Sequence, residues 1–238
     1  MIQKTQAIVI HSIKYAESDL IVHCYTKDFG LKSYYLKGIL NNKKTKLKKS
    51  YFLPLNLLEI VAFHNNKGQL NSIRELQILQ PYRTLHTDIY KQSIVLFISE
   101  ILNQTLKEEL HDERLFDYLK VAFYQLDQAK KVSNFHLKFV VNLIKYLGFA
   151  PVFEEKAKVF DMVEGKFLNQ PISTIFIENE ELKWFKSVLL SENFDENEVI
   201  FNRNQRNELL DRLMQYMTLH INNFKKPKSM VVLKELFD

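Results

Sequence analysis

The chain has one cysteine, five glycines, five prolines and one tryptophan in 238 residues. Each scarcity excludes something. A lone cysteine, Cys24, cannot form an intramolecular disulfide or build a cysteine-based zinc site, and its usage fits a reducing compartment. With so few glycines there is no GxGxxG and no GxxxxGK[ST], so a nucleotide phosphate has no recognisable cradle. The seven histidines never fall into HExxH or another ligand spacing, and no carboxylates cluster as a two-metal nuclease requires. No apolar run approaches the ~18 residues of a membrane span. The start, MIQKTQAIVIHS, has too short an apolar core for a signal peptide. The expectation is a soluble cytoplasmic protein with no cofactor, no metal, no membrane partner and no catalytic residues.

What is present is a lopsided positive charge. The formal net charge is +5, yet residues 1–50 alone carry ten lysines against Glu17, Asp19 and Asp28. Seven of those lysines (Lys32, Lys37, Lys43, Lys44, Lys46, Lys48 and Lys49) lie between Gly30 and Tyr51, a stretch with no acid. Its first part reads as a strand opening at Gly30, and Asn41 to Ser50 reads as a polar loop. Ammonium groups neutralise phosphates and tyrosine faces stack bases, so the stretch suits a nucleic acid. The plainer reading is a solvated loop, or lysines that keep an edge strand from aggregating. Tyr34 and Tyr35 are adjacent in the strand and must point to opposite faces. One is expected in the core and the other outside; the alternation alone does not say which.

Hydrophobic periodicity divides the chain near Pro81. Before it, Thr5–His11, Asp19–Thr26, Gly30 to Gly38, Leu55–Phe63 and Leu70–Leu79 read as strands. Asn65-Asn66-Lys67-Gly68 signals a hairpin. Five short strands in about eighty residues suggest a small closed barrel such as the OB-fold. After Pro81 the period becomes helical. A helix over 88–106 is expected to carry Ile89, Leu96, Phe97 and Ile101 on one side with Ile94, Ile98 and Leu102 beside them, a stripe broad enough to imply burial on more than one side. Others follow over 112–126, capped by Asp112, and over 134–147, ended by Gly148 and Pro151. Val159–Asn169 reads as a hairpin turning at Glu164-Gly165, Glu181–Leu190 as a short helix, and Asn204–Phe224 as a long one capped by Asn202. The fold class is therefore α+β: an N-terminal five-stranded OB-fold β-barrel over 1–80, then a mostly α-helical domain over 81–238 with a small hairpin insertion near 159–169.

The order of these features resembles the bacterial recombination-mediator family RecO. The resemblance rests on the strand Ala7–Ile10, then Tyr15, Glu17 and Asp19, then Thr26, Gly30, Lys37 and Gly38. It continues in the Leu147-Gly148-Phe149-Ala150-Pro151 turn and in Arg206–Leu233. It implies a non-enzymatic protein that binds single- and double-stranded DNA and anneals complementary strands. It further implies help to RecA in loading onto strands coated by single-strand-binding protein (SSB), with RecR and the acidic SSB tail as partners. The nucleic-acid contacts expected are Lys32, Tyr34, Tyr35, Lys37, Lys43, Lys44, Lys46, Lys48 and Lys49. An SSB-tail pocket would need an apolar groove rimmed by basic residues, for which Arg203, Arg206 and Arg212 are candidates. Many family members carry a four-cysteine zinc module where this chain has Val152–Asn169, so no zinc role transfers. An RNA-binding or ribosome-associated OB-fold protein is the alternative reading.

Overall fold

The computed structural model describes residues 2–41, 47–64, 71–107, 111–191, 194 and 201–237. Two compact units divide at Gln128/Ala129.

The first unit is built on one antiparallel sheet. Its strands are β1 (Ile2–Tyr15), β2 (Asp19–Thr26), β3 (Gly30–Leu36), β4 (Leu57–Phe63) and β5 (Ser72–Gln80), in the order β3-β2-β1-β4-β5. The first strand is longer than its apolar centre suggests, because its polar ends are paired too. Its start runs beside β4 and its second half beside β2, with a bulge between Val9 and His11. That bulge adds twist, which lets one strand serve both halves of a curled sheet. Among the described residues the two edges meet at one bridge, between Tyr34 and Asn71: the Tyr35 amide donates to Asn71 O at 2.9 Å, and the Asn71 amide to Ser33 O at 3.1 Å. The sheet is thus curled without the continuous closure that the strand pattern suggests. Inside lie Ala7, Val9, Leu20, Val22, Cys24, Tyr34, Leu36, Leu58, Ile60, Ala62 and Ile73, one face of each strand. The Asn65–Gly68 hairpin signal lies outside the described residues.

Two helices belong to this unit. α1 (Ile89–Thr105) is capped by Asp88, whose carboxylate accepts from the amides of Tyr90 and Lys91. It packs on the outside of β1, where the Ser99 hydroxyl donates to Ile10 O at 2.6 Å. Ile94, Phe97, Ile98, Ile101 and Leu102 are buried, whereas Ile89 and Leu96 are 60% and 50% exposed, contrary to the broad stripe expected. α2 (Glu113–Gln128) starts at Asp112, which accepts from the amides of Arg114 and Leu115, and it buries Leu115, Phe116, Leu119, Phe123 and Leu126. Phe116 covers the ring of Tyr25, on the outer face of β2.

The second unit opens with α3 (Phe135–Tyr146), which ends where Gly148 takes φ +85°. Three short strands follow: β6 (Val159–Asp161), β7 (Lys166–Leu168) and β8 (Phe176–Glu178), with β6 in the middle. The expected hairpin is present, and β8 adds a third strand to it. α4 (Asn179–Leu190), α5 (Arg203–His220) and α6 (Met230–Leu236) complete the unit. Phe160 of β6 stacks on Phe185 of α4 and packs against Tyr216 of α5, which joins sheet and helices. Among the described residues no helix is long and apolar enough to cross a membrane.

Candidate nucleic-acid interface

The basic stretch leaves the sheet at the end of β3 and returns before β4, and both ends are anchored. At the entry, the carboxylate of buried Asp19 accepts from the Tyr35 hydroxyl, from the Gly38 amide at 2.7 Å and from the Ser18 hydroxyl at 2.9 Å. Gly38 sits at φ +68°, a left-handed turn that suits a residue without a side chain. The Leu40 amide then donates to Ser18 O at 2.9 Å. At the exit, Lys49–Phe52 forms one turn of 3-10 helix with Phe52 buried in the core of the sheet. Its carbonyls are tied down: Ser12 donates to Phe52 O at 2.9 Å, and the Asn56 side-chain amide to Ser50 O at 3.1 Å and Tyr51 O at 3.0 Å. Leu40 and Leu47 pack against the core, one near each end.

This scaffold sorts the expected contacts. Lys37 is exposed at the entry, and Lys48 and Lys49 are exposed at the exit. Lys43, Lys44 and Lys46 lie outside the described residues. Lys32 is half-buried, paired in register with Cys24. After burial, its charge is the next influence that holds His64 below the ordinary histidine range. Tyr34 corrects an expectation: it is fully buried, so no base can stack on it. Its hydroxyl donates to His64 Nε2 at 2.8 Å, while His64 Nδ1–H donates to Gln3 Oε1 at 3.1 Å, an assignment fixed because an amide oxygen only accepts. Burial raises the Tyr34 phenol well above its usual range, with Cys24 adding to the effect. Tyr35 is the outward member of the pair, half-buried, with its hydroxyl held by Asp19.

Tyr15, which the sequence offers only as part of the resemblance, completes this face. It is 53% exposed and meets the Tyr35 ring edge-on, with centroids 6.0 Å apart and planes at 87°. Period-two parity alone misplaces it: counted from Ala7 and Val9, Tyr15 would face the core, and the bulge between Val9 and His11 turns His11, Ile13 and Tyr15 to the opposite side. Across the strands, Ile13, Ile21 and Tyr35 form one row and His11, His23 and Ser33 the next, the His23 ring joined to the Ser33 hydroxyl at 2.9 Å. Helix α2 covers Tyr25 further along; in these rows Ile13 is exposed and His11, Ile21, His23, Ser33 and Tyr35 are half-buried. Among the described residues this face presents Tyr15 and Ile13 with Lys37 exposed nearby in sequence, a combination that can hold flat apolar rings beside anionic groups.

Comparison with known proteins decides the family. Residues 1–82 match the description "Recombination protein O N terminal", and residues 86–165 match "Recombination protein O C terminal". A DNA repair protein RecO from Flavobacterium johnsoniae is 43% identical over 235 residues, which are 98% of each chain. Another, from Christiangramia forsetii, is 41% identical over 239 residues and covers 100% of each. One from Azobacteroides pseudotrichonymphae is 35% identical over 243 residues, again 100% of each.

The chain belongs to the RecO family. Its N-terminal domain is the RecO OB-fold, and the whole is α+β.

The zinc module of some RecO proteins does not fit this chain. The only cysteine is buried in β2, and among the described residues no three His, Cys, Asp or Glu side chains come together as ligands. In its place Asp161, fully buried at the end of β6, accepts five hydrogen bonds: from the amides of Val163, Glu164, Ile172 and Ser173, and from the Ser173 hydroxyl. One carboxylate thereby joins the β6–β7 turn to the segment leading into β8.

Among the candidate arginines, Arg212 and Arg206 have internal acceptors. The Arg212 guanidinium donates to both oxygens of Glu181, at 2.6 and 3.1 Å. It lines an open cavity of about 780 Å³ together with Glu181, Glu208, Asp211 and Lys226. Arg206 donates to Phe201 O at 2.6 Å and Phe237 O at 2.7 Å. Arg203 is exposed at the start of α5.

Proposed function

We propose that this RecO-family chain is a DNA-binding recombination mediator that catalyses no covalent step. It holds single- and double-stranded DNA at the N-terminal domain, anneals complementary strands, and with RecR assists RecA in replacing SSB. The observation that carries this reading is the anchored basic stretch of an OB-fold domain, with Lys37, Lys48 and Lys49 exposed at its ends and the Tyr15–Tyr35 pair on the outer sheet face. Annealing follows from the same chemistry: lysines that neutralise two backbones at once lower the repulsion between strands.

For the acidic tail of SSB, α6 offers the combination such a tail needs. Val231 and Val232 are exposed, and Lys225 and Lys226 are exposed just before the helix. The internal partners of Arg206 and Arg212 leave this basic-apolar end as the better candidate.

The test is binding of a labelled single-stranded oligonucleotide across a salt series. The wild type is compared with a variant in which Lys43, Lys44, Lys46, Lys48 and Lys49 become Gln. Expected is steep salt dependence in the wild type, and a slope shallower by about 0.7 for each phosphate that the variant no longer neutralises. Equal slopes would remove DNA from this stretch. Matched DNA and RNA strands are run together; a preference for RNA would favour the ribosome-associated reading, since such a reader uses the 2′-hydroxyl.

A further inference from the structure

We infer that Tyr15, on a floor of Ile13 and Ile21, is the surface on which this chain stacks an unpaired base, so that it tells single strands from duplex. The inference rests on the nucleic-acid reading above and assigns a different task to a different part of the site. The lysines see phosphate, which single strands and duplexes share. Only an unstacked base offers a flat apolar face.

Three observations lead here. First, the platform is built and open. Tyr15 and Ile13 are 53% and 45% exposed on the outer face; Ile13 is in register with Ile21 and Tyr35, Tyr15 lies opposite Asp19 with its ring against Tyr35, and α2 packs on Tyr25 further along β2. Large apolar side chains side by side on a sheet face, facing solvent, are unusual without a partner.

Second, the ring is braced. Tyr35 stands at right angles to Tyr15, and its own hydroxyl is held by Asp19, so Tyr35 supports the neighbouring ring more than it offers its own. A pre-set ring loses less entropy on binding than a mobile one.

Third, the charges nearby suit an anionic strand and not an acidic peptide's apolar residues alone. Lys37 follows Tyr35 on the same face, close enough that its charge acts on Asp19. The Asp19 carboxylate is buried and its oxygens are occupied by three donors. Glu17 is exposed in the β1–β2 turn. A base on Tyr15 would place its phosphates toward Lys37 and the basic stretch.

The experiment compares three labelled probes of equal length: oligothymidine, an abasic single strand, and a duplex. Each is titrated with wild type, Tyr15→Ala and Tyr15→Phe. Tyr15→Ala is expected to weaken oligothymidine about five- to hundredfold, the range of one missing base–aromatic stack. The abasic strand and the duplex are expected to bind unchanged, and Tyr15→Phe to behave as wild type. Circular dichroism melting checks that the exposed substitution leaves the fold intact. Unchanged oligothymidine binding by Tyr15→Ala, or equal weakening of all three probes, would overturn the platform while leaving the DNA-binding reading in place. A wild type that binds none of the three would overturn both.

Discussion

The Tyr35 hydroxyl donates to the carboxylate of Asp19, sixteen residues before it, and makes that acid the joint between β3 and the turn into the basic stretch. The Tyr35 bond is the largest influence that holds the Asp19 carboxyl below its usual range, followed by the Gly38 amide and the Ser18 hydroxyl. A depressed acid stabilises the fold above its unfolded pKa of about 3.9, and that contribution is lost as pH falls through the lower folded value. Tyr35→Phe is expected to move the Asp19 titration up toward the ordinary value, followed by NMR of the carboxyl carbon. A titration that does not move would assign the effect to Gly38 and Ser18.

Asp161 presents the same chemistry in the second unit, with greater burial. Burial by itself pushes this carboxyl up, yet the amides of Glu164, Ser173 and Ile172 and the Ser173 hydroxyl outweigh it and hold the value at about 2. Its stabilisation is complete above the unfolded pKa of about 3.9 and disappears as pH falls from there through about 2. Asp161→Asn puts an amide among donors that need a full acceptor. It is expected to cost about 2–3 kcal/mol at neutral pH, read from urea melts, and to flatten the loss of stability between about pH 4 and 2. Treatment of the wild type with EDTA is expected to leave the melt where it was, since the carboxylate does the tethering. A downward shift with EDTA would mean that a metal contributes.

These two acids also mark where sequence reasoning reaches and where it stops. β2 is legible to its last residue, because strict alternation runs between Asp19 and the Asp28-Phe29-Gly30 turn. β8 is not: three residues carry no period, and its placement depends on Asp161 gripping Ile172 and Ser173. The choice between Tyr34 and Tyr35 needs the register that sets Tyr34 against Val22, a core residue. Tyr15 escapes notice as a site because the apolar run of β1 ends at His11, where the bulge and the polar Lys14 interrupt it. The arginines of α5 look alike in sequence, and the acceptors of Arg206 and Arg212 come from segments far along the chain that no local pattern reveals.

Two glycines permit a clean separation of backbone from side-chain effects. Gly165 has φ +66°, and a Cβ there would sit 2.8 Å from the Tyr216 hydroxyl oxygen, so close that something must shift. That hydroxyl also donates to Phe149 O at 2.8 Å, so its movement breaks a hydrogen bond as well. Gly148 has φ +85° with nothing within 4 Å of the added atom. Gly148→Ala is expected to cost about 1 kcal/mol, the backbone share, and Gly165→Ala about 2–4 kcal/mol. Equal losses in thermal melts would mean that the Tyr216 ring moves freely.

Arg206 carries the last prediction, and it separates a structural arginine from a docking one. Its guanidinium spans two carbonyls, Phe201 O before α5 and Phe237 O after α6. Burial lowers its pKa first and the nearby Arg203 second, so the site tolerates the charge because both carbonyls accept from it. A lysine has a single ammonium on a flexible stem and cannot reproduce that planar fork. Arg206→Lys is therefore expected to lose about 1–2 kcal/mol with no partner present, and to let carboxypeptidase trim the C-terminal residues faster than in the wild type. Were Arg206 instead reserved for an acidic partner, Arg206→Lys would melt and be trimmed like the wild type and differ only once that partner was added.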